Sequence, residues 1–219
     1  MPFDLLTSAG FASLLGMRHA LEPDHLAAVS TLVSRERNRY KAAWLGIFWG
    51  LGHTAALIAV GIVLVLTRAE LPARVATLFE LAVAVMLIAL GIRACVQAAR
   101  GADHDPLRPH RRGFGIHQHS GLPPHLHLGR WTFARRPLLI GMVHGLAGSG
   151  ALAALVMTTL PTATARLAYM LLFGLGSTAG MAALSGLLGW PLARIGANET
   201  LARGLSFVIG GMSVALGLA

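Results

Sequence analysis

The chain has 219 residues, of which 55% are hydrophobic and only 12% charged, with a formal net charge of +9 and a mean hydropathy of +0.65. Ordinary soluble domains carry about 25% charged residues, so this composition excludes a soluble globular protein and indicates an integral membrane protein. The positive charge is not a nucleic-acid footprint, because the arginines lie between apolar stretches and gather on no single face; the single cysteine, Cys95, excludes an internal disulfide or a Cys-x-x-Cys redox pair.

A membrane-spanning helix needs about 20 mostly apolar residues. The runs Ala42 to Leu66, Val75 to Val96, Leu138 to Leu160, Leu167 to Leu192 and Gly204 to Ala219 meet that requirement, and the opening segment Phe3 to Val33 brings the expected spans to six. The start, Met1-Pro2-Phe3-Asp4, lacks the basic stretch of a cleavable signal peptide, so the first span is expected to stay in the protein.

That first span carries Gly16-Met17-Arg18-His19-Ala20-Leu21-Glu22-Pro23-Asp24-His25, a cluster of charges and imidazoles in an apolar setting. Each ionisable side chain at membrane depth costs about 2.5–3.5 kcal/mol on insertion scales, so such a cluster persists only where it is paired, wetted or used. Pro23 removes a backbone hydrogen bond and pushes Glu22 out of helical geometry, which predicts a broken helix and leaves the His19 carbonyl without its partner. Arg18, four residues before Glu22, is placed to neutralise it.

The next loop, Ser34 to Lys41, holds four basic residues against Glu36 and reads as cytoplasmic. In the second span, Gly46 and Gly50 allow close approach of another helix, which places His53 inside the bundle. From about Ala99 to Pro137 the composition turns polar, with His104, His110, His117, His119, His125 and His127 among arginines, glycines and prolines; a largely disordered cytoplasmic loop is expected, either concentrating metal or serving as a solvated spacer.

The second half repeats the first. Gly141-Met142-Val143-His144-Gly145-Leu146 echoes Gly16-Met17-Arg18-His19-Ala20-Leu21 at a displacement of 125, and Gly174-Leu175-Gly176-Ser177-Thr178-Ala179 echoes Gly50-Leu51-Gly52-His53-Thr54-Ala55 at 124. The shorter pair Ala89-Leu90-Gly91 and Ala215-Leu216-Gly217 follows at 126. The expected architecture is an all-α integral membrane protein of six transmembrane helices: residues 1–98 a first three-helix repeat, 99–137 the histidine-rich loop, and 138–219 a second three-helix repeat. Three spans per repeat insert the halves in opposite orientations, and sites in such folds lie at interrupted helices, here Pro23 and the stretch Gly145 to Gly150.

His19, Glu22, Asp24 and His25, joined by His53, offer imidazole nitrogen and carboxylate oxygen, donors suited to nickel, cobalt or zinc. At 3.6 residues per turn His25 lies about 120° round from His19, so the two converge only if the helix breaks. His144 reads either as a helix-to-helix hydrogen-bonding residue or as a further ligand. The counterparts of Asp24, His25 and His53 in the second half are Ser149, Gly150 and Ser177, so the ion is expected to bind chiefly to the first half through His19, Asp24, His25 and His53, while the second supplies close packing and, as further donors, His144 or backbone carbonyls.

Arg18-His19-Ala20-Leu21-Glu22-Pro23-Asp24-His25-Leu26 resembles the His-x4-Asp-His signature of the nickel/cobalt transporter family, and Leu51-Gly52-His53-Thr54 resembles its second motif. The similarity looks closest to the short urease-accessory membrane transporters related to that family. The resemblance implies that His19, Asp24, His25 and His53 select the metal. Glu22 stands where the family carries aspartate, and the later Asp-Thr motifs are missing, since Glu199 is the only acid after Asp105.

The implied function is a non-enzymatic permease of the bacterial inner membrane that passes Ni²⁺ or Co²⁺ as cargo, with no prosthetic group. Its partners would be the ion, the bilayer and a metallochaperone or nickel-enzyme maturation protein. Efflux by the same fold, an intramembrane metal-dependent hydrolase, and a non-transporting assembly factor remain alternatives. Alternate loops carry thirteen basic residues against three, which puts both termini and the segment from Thr67 to Arg74 outside. Single cysteines introduced into a Cys95→Ser background are expected to label from outside at residues 68–73 and from inside at 101–134; labelling of the histidine-rich segment from outside would overturn this orientation.

Overall fold

A computed structural model describes residues 2–34, 36, 38–69, 71–100, 110–112, 115–117, 125–128, 131–195 and 199–219. The chain forms α1 (Pro2–His19), α2 (Pro23–Val33), α3 (Arg39–Thr67), α4 (Ala73–Ala99), α5 (Arg135–Thr159), α6 (Ala163–Ile195) and α7 (Glu199–Leu218). Between α4 and α5 lie two short antiparallel ladders: β1 (His110–Arg112) pairs with β2 (Gly115–His117), and β3 (His125–Leu128) with β4 (Trp131–Ala134). The other histidines of this segment, His104 and His119, lie outside the described residues.

Among the described residues, four helices are long and apolar enough to cross a membrane: Arg39–Thr67, Ala73–Ala99, Ala163–Pro191 and Thr200–Leu218. They coincide with four of the six expected spans. The opening span is divided, as Pro23 predicts, into α1 of 18 residues and α2 of 11. The expected second interruption does not occur: α5 runs through Gly145 to Gly150 as one helix of 25 residues. Glycine there removes side chains without removing the N–H that a proline lacks, so the helical ladder continues.

Local chemistry sets the ends. Asn38 caps α3, its side-chain oxygen accepting the Tyr40 and Lys41 N–H groups at 2.9 and 3.4 Å. Pro23 takes the first position of α2, where its missing N–H has no helical partner to lose.

The helices α3 and α6 form the centre, with α5 and α1 against them and α4 against α7. Small α2 side chains, Ala27, Ala28, Val29 and Val33, are buried with Leu45 and Trp49 of α3, Val83 and Leu87 of α4, and Met181 of α6. The outward faces stay apolar, with Leu14, Val63, Leu66, Leu187 and Leu218 exposed, as a lipid surround requires.

Contacts between the halves are reciprocal. A Cβ on Gly16 would strike the Phe173 backbone, and one on Gly141 would strike that of Trp49. Gly52 meets Leu138 while Gly176 meets Ser13, and Gly91 meets Gly210 while Gly217 meets Ala84. Each pair maps onto the other at displacements of 124 to 126. At the α3–α6 crossing Thr54 donates to the Gly174 carbonyl at 2.9 Å and lies 3.0 Å from the Thr178 hydroxyl, its own counterpart. Ser213 likewise donates to the Leu87 carbonyl at 2.8 Å, a displacement of 126.

In lipid such close packing, rather than exclusion of water, holds helices together. A Cβ on Gly50 would lie 2.6 Å from the Thr178 Cα, a backbone atom that cannot rotate aside. Gly50→Val is therefore expected to cost more than the roughly 1–3 kcal/mol typical of overpacking, whereas Thr54→Val is expected to cost about 0.6 kcal/mol and no more than about 1.7. Unfolding in mixed detergent reads both; equal losses would mean that the crossing is held by the hydroxyl and not by the glycine.

Candidate metal centre

The break between α1 and α2 makes the site. Glu22 is extended, with φ −63° and ψ 147°, and its carbonyl accepts the Leu26 N–H as the first bond of α2. The His19 carbonyl is not left without a partner as the sequence suggests, because it accepts the Glu22 N–H at 3.0 Å in a tight turn. The Glu22 carboxylate meets His19 Nδ1 at 2.9 Å and not Arg18. The expected Arg18–Glu22 pair needs four residues of continuous helix, and α1 ends at His19.

Across the break the His19 and His25 rings come to 4.4 Å between centroids. His53, the central residue of α3, completes the group, its ring 5.3 Å from His19 and 5.4 Å from His25. Donor atoms of His19, His25 and His53 all lie within 4.8 Å of one another. An ion held by three metal–nitrogen bonds of about 2.1 Å keeps its donors at most about 3.6 Å apart, so these side chains would have to draw together by up to about 1 Å to enclose one.

A second triad shares His25. The Asp24 carboxylate accepts the His25 backbone N–H at 2.8 Å, approaches His25 Nδ1 at 3.0 Å, and reaches His144 Nε2 of α5 at 2.9 Å through its other oxygen. Donor atoms of Asp24, His25 and His144 also lie within 4.8 Å of one another. His144 thus links α5 to α2, and its ring stands beside that of His25. Asp24 and Glu22 are partly exposed, while His25, His53 and His144 are each 1% exposed.

Buried polar atoms are normally hydrogen-bonded, yet His19 Nε2, His25 Nε2, His53 Nδ1 and His144 Nδ1 are buried without a partner. Carboxylates hold the Nδ1 of His19 and His25, which leaves the Nε2 of each as the lone-pair atom. Carboxylates that orient metal-binding imidazoles in this way are a recurrent outer shell.

Two aromatic residues that the sequence motifs do not mark as functional border the cluster. Trp49 is fully buried with its ring 5.5 Å from His25 and 5.6 Å from His144, and Phe173 lies 5.3 Å from His19. Their signal was spacing: Trp49 precedes His53 by four residues, hence shares its face, and Phe173 is the counterpart of Trp49 at 124. Ser177, counterpart of His53, is fully buried with an unpartnered hydroxyl, while the surroundings of Ser149 and Gly150 lie outside what the structure describes.

Residues 5–215 match the family described as high-affinity nickel-transport protein, NicO. The urease accessory protein UreH of Bacillus sp. (strain TB-90) is 33% identical over 189 residues, covering 86% of this chain and 78% of that protein. Two Arabidopsis thaliana proteins, Chloroplast protein FOR GROWTH AND FERTILITY 1 and 2, are 28% and 27% identical over 194 and 200 residues, and the chain spans about half the length of each. No solved structure matches. The family is one of transporters and not of enzymes, which sets the hydrolase alternative aside. With the match running through the seven helices of the described residues, this membrane protein belongs to the high-affinity nickel-transport protein family.

Proposed function

We propose that the chain is a permease moving Ni²⁺ or Co²⁺ across the bacterial inner membrane, with the ion as cargo held by His19, His25 and His53. The observation that carries this reading is three imidazoles converging halfway along a 29-residue apolar helix, with unpartnered ring nitrogens among them. Imidazole suits borderline divalent ions, and a site that passes its ion must bind weakly enough to release it. Asp24 and Glu22, the partly exposed members, meet an arriving cation first and orient the imidazoles behind them.

The chain crosses the membrane six times in this reading, α1 with α2 counting as one crossing, as two inverted three-helix repeats with both termini outside. The reciprocal contacts at displacements of 124 to 126 support it, because a self-complementary interface arises when two like surfaces meet about a two-fold axis. Segment 99–137 lies on the cytoplasmic side and concentrates metal there. The accessory role named for the Bacillus relative supports delivery of the ion to nickel-enzyme maturation.

Proteoliposomes containing only this protein are expected to accumulate Ni²⁺ or Co²⁺; an empty lumen would mark a non-transporting factor, and accumulation against efflux in cells would set the direction. His19→Ala and His25→Ala are expected to abolish uptake in folded protein. Glu22→Gln, which keeps the shape but loses the charge on His19, is expected to weaken binding about 10–100-fold. Wild-type Ni²⁺ affinity in His25→Ala would show that the cluster is not the binding site.

A further inference from the structure

We infer that the ion has two alternative seats, His19–His25–His53 and Asp24–His25–His144, and that its passage from one to the other about the shared His25 is the translocation step. The inference rests on the permease reading above and goes beyond it in assigning a second seat and an order of ligand exchange.

The donors form two triads, each within 4.8 Å, with His25 common to both. Its ring lies between the others, 4.4 Å from His19 and 4.2 Å from His144, whereas the His53 and His144 rings are 6.3 Å apart. The two nitrogens of His25 are already divided: Nδ1 is on Asp24 beside His144, and Nε2 is unpartnered. A neutral imidazole presents one lone pair at a time, so His25 serves one seat or the other, and one chain holds one ion.

The seats differ in what holds them together. His19, His25 and His53 come from α1, α2 and α3, all in the first half, so that seat takes no ligand from the second half. The second seat takes His144 from α5, so it forms only when the halves stand as they do here. In folds built of inverted repeats, transport is a rocking of one part against another, and here a motion that carries α5 away from α2 would open the second seat, whose ligands come from both helices. The carboxylate makes the second seat harder and more anionic, and Asp24 is the partly exposed member, so this seat faces the aqueous path while the three-imidazole seat is the deep one.

The test titrates the purified full chain in detergent with Ni²⁺ alone, reads the ligands by X-ray absorption and measures Ni²⁺ uptake into proteoliposomes. Wild type is expected to bind one ion per chain. His144→Gln is expected to keep a three-imidazole ion at an affinity within about threefold of wild type, well short of a ligand-shell loss, while uptake falls at least about tenfold. His53→Gln is expected to keep one ion on two imidazoles and a carboxylate, also with uptake lost. An affinity loss in His144→Gln as large as in His25→Gln would mean one common site, and wild-type uptake in His144→Gln would place the second triad off the path; either overturns the inference. Loss of all Ni²⁺ from folded His53→Gln overturns it independently, should His144→Gln not fold. Wild type that binds no ion at all sinks the permease reading itself, an outcome separate from these.

Discussion

Everything at the centre of this molecule depends on one missing backbone N–H. Without it at Pro23 the first helix would continue, and His19 and His25 would point to different sides. With it the chain leaves helical geometry at Glu22 and resumes at once, so rings six residues apart meet at 4.4 Å. The break also brings in both carboxylates. Glu22, at the N-cap position of α2 without a side-chain capping bond, turns its carboxylate to His19, while Asp24, in the first turn, sits where the positive end of the helix dipole favours a negative charge.

A break of this kind would be a weakness if the helices around it were loosely packed. Around it the two halves meet backbone to backbone, Gly16 against Phe173, Gly141 against Trp49 and Gly145 against His53, leaving no room for a side chain between them. Among the described residues the polar ties between the halves include Thr54 to Gly174, Ser213 to Leu87, Ser13 to Leu172 and His144 to Asp24, at 2.9, 2.8, 3.4 and 2.9 Å. The donors are therefore held by the frame, and their unpartnered nitrogens are not available to distort it.

Much of this was legible in the residues. Proline chemistry predicts the break, the Gly-x3-Gly spacing at Gly46 and Gly50 places His53 inside, and the three displaced motifs anticipate which surfaces meet. What stayed hidden depends on tertiary contact. Spacing favours Arg18 for Glu22, but that rule assumes a helix the proline has already ended. A glycine-rich stretch reads as an interruption, yet α5 remains helical because its backbone ladder is intact. Nothing local brings His144 to Asp24, 120 residues away; only the packing of α5 against the central helix does so.

The glycine contacts have a thermal consequence. Cores sealed by the expulsion of water weaken as temperature falls, because that driving force is entropic near room temperature and carries a large heat-capacity change. Helices in lipid exchange one apolar neighbour for another, and what joins α3 to α6, beyond the hydrogen bonds of Thr54, is dispersion between atoms in contact. Its strength does not fade on cooling, so the frame around the histidines keeps its grip in the cold, where a water-driven core of the same size would loosen.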